Sequence, residues 1–181
     1  MKSRGTVGAL ATLVLAMGLV ACVPQPEPTP TPTPTGFASE AEAFAAAEET
    51  YRAYVDALNQ VDLSDPDTFE AVYAWTTGEA NANEREALSR MHAEEWTVSG
   101  ETVTEQFLPR SYGPAEAVVV TAIACSNVAG VAVVDNSGNS MVDPARRNIY
   151  ALELGFVHAN ESPTLLRIVS STGVEDSRCA T

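Results

Sequence analysis

Three cysteines, Cys22, Cys125 and Cys179, and two histidines, His92 and His158, are the side chains of this 181-residue chain best suited to nucleophilic, redox or metal chemistry. A thiol acts as nucleophile or ligand only as its thiolate, so it needs a base, a cation or a metal beside it. A metal site also needs ligands at short, repeated spacings, and neither the cysteines nor the histidines recur that way. Acid–base work needs a carboxylate and a phenol or imidazole converging on one reacting proton. In the segment "IYALELGFVH", Tyr150, Leu152, Leu154, Phe156 and His158 share the parity of one strand face, and Glu153 falls on the other. The candidates for lining a pocket are therefore Tyr51, Tyr54, Trp75, Tyr150 and His158, with no inward carboxylate among them. His158 reads first as a surface or strand-end histidine, and His92, after Met91 on a helix, faces either way. No glycine-rich loop opens a helix and no serine sits in a nucleophile elbow. "DNSGNS" from Asp135 has its glycine in the fourth place and Arg146 where a calcium loop needs glutamate, so it reads as a turn. No catalytic residue, metal ligand or cofactor is assigned.

Cys22 belongs to a different chemistry. Lys2 and Arg4 precede an uncharged stretch from Val7 to Val20, about the length of a signal-peptide core and shorter than the roughly 20 residues of a spanning helix. Leu19, Val20, Ala21 and Cys22 resemble the lipobox of bacterial lipoproteins. That resemblance implies a diacylglyceryl thioether on Cys22, which becomes the mature N-terminus after removal of 1–21. The competing reading is an ordinary signal peptide with a nearby small-residue cleavage site. Two acyl chains anchor durably where one does not, so the implied location is the outer face of the cell membrane.

From Pro24 to Thr35 proline falls at nearly every second position, which fixes each proline's φ and pushes its predecessor into extended geometry. Residues 22–36 are thus a lipidated cysteine and a Thr/Pro tether reaching about 35 to 40 Å at about 3.1 Å per residue. Its threonines are compositional candidates for O-glycosylation.

Beyond Arg4 the chain has eight arginines and no lysine against 24 acidic residues, a formal charge of −16. That balance opposes nucleic acid and anionic lipid headgroups as partners, both of which reward a basic face. It leaves a solvated acidic surface, or recruitment of a cationic partner. In an exported chain the two remaining cysteines, Cys125 and Cys179, are expected to form a disulfide that staples the C-terminal tail to a core strand.

Residues 37–181 have the size of one domain. Ser39 caps a helix to about Gln60 whose apolar face carries Phe44, Tyr51, Val55 and Leu58. Pro66–Trp75 and Glu79–Glu95 predict two further helices, the third offering Leu88, Met91 and Trp96 to the core. Strands are predicted at Trp96–Arg110, Ala115–Ser126, Val128–Asp135, Arg147–His158 and Thr164–Thr172, the second and third of these being readable as one bent strand. Helices first and strands afterwards make an α+β domain with an antiparallel sheet.

That order resembles the nuclear transport factor 2-like (SnoaL-like) cone, in which N-terminal helices pack in the concavity of a curved antiparallel sheet. With Cys22, the Thr/Pro linker, the Cys125/Cys179 pair and the Asp135–Gly138 turn, the chain also resembles actinobacterial lipoproteins carrying such a domain. The fold hosts enzymes and binding modules alike. Two functions are therefore carried forward: a non-enzymatic envelope module that takes a small apolar ligand or another envelope protein, and an isomerase- or dehydratase-type enzyme using the cone as its pocket. An inward acid within hydrogen-bond reach of His158 or a tyrosine favours the second; a filled cone favours the first.

Overall fold

Ser39 starts the first helix by a reciprocal cap: its hydroxyl accepts from the Glu42 N–H at 3.1 Å, and the Glu42 carboxylate accepts from the Ala38 N–H at 2.7 Å. The computed structural model describes residues 36–179, and Cys22, the leader and the Thr/Pro tether lie outside them. Helix α1 runs Glu40–Asn59 and buries Ala43, Ala47, Tyr51 and Val55 along one stripe. A 3₁₀ turn at Pro66–Thr68, capped by Asp65, leads into the short helix α2 at Phe69–Tyr73. Helix α3 spans Gly78–Ala93. All three expected helices are present, and the second begins as 3₁₀ because Pro66 and the Asp65 cap close a tight first turn.

The strands are β1 Thr97–Ser99, β2 Val103–Tyr112, β3 Val120–Asn127, β4 Ala132–Val134, β5 Ile149–His158 and β6 Leu166–Val174. The strand expected over Trp96–Arg110 is two strands, broken at Gly100. There φ is +82°, a backbone that glycine adopts freely, and a Cβ would collide with the Gly130 carbonyl. Beyond this break β1 leaves the main sheet and pairs with β4 as a two-stranded ribbon. The segments expected at Ala115–Ser126 and Val128–Asp135 are two separate strands, β3 and β4, and not one bent strand. β3 starts five residues later than predicted, because Val119 N–H bonds to Phe156 O and its carbonyl accepts from Gly113, closing the 113–119 loop.

The main sheet is an antiparallel meander in the order β2-β3-β5-β6. Helix α1 packs on β2, β3 and β6, so it touches both outer strands at once. Strands spaced about 4.8 Å apart meet one helix in that way only if the sheet curls around it. Register shifts in β2, at Thr104/Gln106 and Pro109/Ser111, and in β6, where Val169 is extra opposite Gly155/Phe156, supply local bends. The result is the α+β architecture expected from the sequence, with the helices in the hollow of the sheet.

Three apolar clusters follow from this arrangement. Tyr51, Val120, Leu154, Phe156, Leu166 and Ile168 fill the hollow beneath α1. Leu63, Phe69, Val72, Tyr73 and Leu88 pack α2 and α3 together. Ile123, Cys125 and Ala151 lie on the outer face of the sheet, where Cys179 covers them from a final 3₁₀ turn at Ser177–Cys179. Cys125 and Cys179 form the expected disulfide, with their Cα atoms 5.1 Å apart.

Candidate functional site

The strand parity read from "IYALELGFVH" holds: Leu154 and Phe156 are buried in the hollow, Leu152 packs against the same cluster, and Glu153 is exposed on the opposite side. The acid that enters the hollow comes instead from α3. Ala80 and Leu88 are buried one turn to either side of Glu84, so the helix that buries them turns Glu84 inward with them. The Tyr54 hydroxyl, from the facing side of α1, donates to Glu84 Oε1 at 2.5 Å.

Burial raises the Glu84 carboxyl above the ordinary glutamate range, with the Tyr54 hydrogen bond pulling weakly the other way. Burial, together with the adjacent carboxylate, holds the Tyr54 phenol well above its usual value. Tyr54 is therefore a hydrogen-bond donor at neutral pH, and Glu84 is an acid poised to exchange its proton at higher pH than a surface glutamate. A buried phenol–carboxyl pair of this kind can polarise or protonate a small molecule placed against it.

The space beside the pair is small. A cavity of about 130 Å³ is lined by Tyr51, Tyr54, Thr76, Ala80, Glu84 and Ser171, among others. Ligand pockets occupy roughly 300 to 1,000 Å³, and water takes about 30 Å³ per molecule, so this cavity suits a few waters or one very small polar group. The rest of the hollow is occupied by rings: Tyr51 lies 6.2 Å from Phe107, and Phe107 meets Phe156 edge-on at 6.2 Å.

Of the five pocket candidates, Tyr51 and Tyr54 come together at this cavity. Trp75 is half-buried against the α2–α3 cluster. Tyr150 is 37 % exposed, and His158 is exposed at the far end of β5, where its ring stacks on Phe37 at 5.7 Å. These three do not line the cavity beside the Tyr54–Glu84 pair. His92 points away from the hollow too, with Nδ1 2.6 Å from Leu63 O and its ring against the edge of Phe69. Among the described residues no group of three or more His, Cys, Asp or Glu is arranged to hold a metal ion.

The Asp135 loop is a turn, as its sequence indicates: Asp135 Oδ1 accepts from the Ser137 and Asn139 N–H groups at 2.8 Å each. Those bonds, with one from the Asn139 side chain, hold its carboxyl below the usual range.

Glu84 makes a pH-dependent contribution whose sign is set by its raised pKa. The folded state holds a proton that the unfolded chain releases, so stability falls as pH climbs from the unfolded glutamate value, about 4.3, through the folded one. Glu84→Gln keeps an oxygen to accept from Tyr54 and removes the titration. Its thermal midpoint should therefore be less pH-dependent than the parent's between pH 4 and 7. Glu84→Leu leaves the half-buried Tyr54 hydroxyl unpaired and should cost about 1 kcal/mol, the low end for a lost buried partner. Denaturant titrations of the two variants across pH check both statements, and an unchanged pH profile in Glu84→Gln would place the carboxylate in water.

No family model matches the chain, and no curated protein matches it. Solved structures do match in outline. The VirB8 protein of Agrobacterium tumefaciens is 11% identical, with a TM-score of 0.45 over 78% of this chain and 97% of that one. A periplasmic fragment of TraM is 12% identical, with a TM-score of 0.41 over 76% and 98%. A de novo designed β-sheet protein is 13% identical, with a TM-score of 0.34 over 76% and 92%.

Proposed function

We propose that this chain is a lipoprotein of the extracytoplasmic face of the cell membrane, anchored through Cys22, whose α+β domain is a non-enzymatic ligand-binding or protein-interaction module of the cell envelope. The observation that carries the reading is the filled cone. Aromatic side chains from α1, β2 and β5 occupy the hollow where an enzyme of this architecture would hold substrate, and about 130 Å³ remains. Two further features fit an exported, surface-held domain: a disulfide, stable only outside a reducing compartment, and a strongly acidic surface. Among the described residues no helix is long and apolar enough to cross a membrane. The Thr/Pro tether then holds the domain about 35 to 40 Å from the bilayer at full extension.

A second reading, an isomerase- or dehydratase-type enzyme, is favoured by one observation, the Tyr54–Glu84 pair. The two readings separate in the native host. Crosslinking intact cells and purifying the chain should give a discrete protein adduct in the membrane fraction, and any small molecule the uncrosslinked protein retains should be recovered equally from the parent and from Glu84→Gln. A retained metabolite that is lost in Glu84→Gln would move the assignment to the enzyme.

Cys22→Ala should leave an unprocessed precursor or shift the protein from the membrane fraction to the medium. Fractionation with immunodetection reads this, and wild-type retention of the variant would refute the anchor.

A further inference from the structure

At the far end of α1 from the tether, a groove of about 210 Å³ opens between the end of that helix, α3 and the β1–β4 ribbon. Its lining is apolar, including Leu58, Val61, Met91, Val98, Val131 and Val133, and Val98 is 38 % exposed. The groove is preformed. Asn59 bonds the Thr102 backbone at both N–H and carbonyl, 2.9 Å each, tying α1 to the loop that follows β1. Arg146 donates to the Val128 and Val131 carbonyls at 3.0 and 2.8 Å, fixing the opposite wall. A rigid apolar slot on an otherwise solvated surface takes an anchoring side chain without an ordering cost.

The rim is mostly acidic, its nearby cations being Arg90, next to Met91 on α3, and Arg146, bonded to the Val131 carbonyl. Asp62 stands between the lining residues Val61 and Leu63, Glu101 between Gly100 and Thr102, and Glu94 and Glu95 follow Met91 at the end of α3; all four are exposed. Residues 56–63 and 94–103 contain no lysine or arginine. An apolar slot inside an acidic rim is complementary to an amphipathic segment with one or two large apolar residues and arginine or lysine around them.

The chain itself does not supply such a segment. Arg52, Arg110, Arg147, Arg167 and Arg178 pair with carboxylates at 2.6 to 3.2 Å. Arg85 stacks on Tyr73 and bonds Asn81, Arg146 is spent on the carbonyls above, and Arg90 stands on α3 itself, beside the lining residue Met91. The Thr/Pro tether has Glu27 and no basic residue. A second copy would bring acid against acid.

We propose that this groove is the docking site for a basic amphipathic segment of another protein. The inference rests on the interaction-module reading and names the partner's chemistry.

The test uses the full chain and a fluorescein-labelled 15-residue helical peptide of leucine and arginine, followed by anisotropy at low and high salt. Controls replace either every leucine with serine or every arginine with glutamate. The leucine/arginine peptide should bind at least tenfold more tightly than either control. Val98→Asp decides between mechanisms: it adds negative charge, so attraction by charge alone would tighten binding, whereas docking in the slot should weaken it about tenfold. Asp62→Asn with Glu101→Gln, both at exposed positions, should weaken binding and flatten its salt dependence while leaving the fold intact. Equal binding of the serine/arginine peptide, or unchanged or tighter binding by Val98→Asp, would overturn the groove. A cellular partner still crosslinked to the domain in that case would leave the interaction reading standing.

Discussion

Replacing Cys125 and Cys179 together with alanine is expected to lower the unfolding free energy by about 4 kcal/mol, the loop-closure entropy of a crosslink across this separation on the chain-entropy model. Both residues are buried, at 1 % and 6 % exposure, so the sulfur atoms also complete the small apolar cluster with Ile123 and Ala151 on the outer face of the sheet. The tail is held a second way. Asp176 accepts from Arg178 at 2.6 Å and from Arg110 on β2 at 3.2 Å, and the Arg178 bonds hold its carboxyl far below the ordinary aspartate range. A depressed pKa contributes stability that is present above the unfolded aspartate value, near 3.9, and is lost as pH falls below it. Of these bonds only the Arg110 contact joins the tail to the sheet, so the double variant keeps one tie between tail and β2 at neutral pH and loses it when Asp176 is protonated. Urea titration of oxidised parent and variant reads the difference, and a loss under 1 kcal/mol would mean that the crosslink constrains nothing the folded tail does not already fix.

Phe156→Ala should cost about 3 to 5 kcal/mol, the range for deleting a fully buried aromatic side chain whose neighbours relax only in part. Phe156 has no exposed surface and packs beside Phe107 in the hollow of the sheet. The same substitution probes function, because it opens the cone. Engineered apolar cavities bind small arenes such as benzene. Benzene should accordingly raise the thermal midpoint of Phe156→Ala and leave the parent unmoved. A parent that is itself stabilised by benzene already has an open cone, and the enzyme reading then gains.

How far these features can be read from sequence differs by element. Ser39, the paired first-turn glutamates and the Tyr51–Val55 spacing announce α1, because capping and amphipathic period are local. The alternation of β5 locates the buried face for the same reason. Glu84 is harder to see. Helix α3 buries only Ala80 and Leu88, so its periodicity is weak, and the inward turn of Glu84 depends on docking against β6 and on the distant Tyr54. The available signal is the i, i+4, i+8 stripe Ala80–Glu84–Leu88, a carboxylate centred between two apolar residues. The β1–β4 ribbon leaves still less trace: Thr97, Val98 and Ser99 are all exposed, so no alternation marks the strand, and the break at Gly100 depends on contact with Gly130, thirty residues away. The apolar groove inherits that difficulty, since one of its walls is the ribbon.

The charge distribution ties these parts to one another. Residues 40–95 carry 14 of the 24 acidic residues, while five of the eight arginines beyond Arg4 lie after residue 95. The acidic groove rim lies at the end of α1 opposite Gly36.

The attachment itself is the most direct test. Protein extracted with detergent from the membranes of its native host should yield, on digestion and mass spectrometry, an N-terminal peptide that begins at Cys22 and carries a diacylglyceryl thioether. A mature chain that begins elsewhere, or a Cys22 with an unmodified thiol, would contradict the lipid anchor and the placement of the domain on the membrane's outer face.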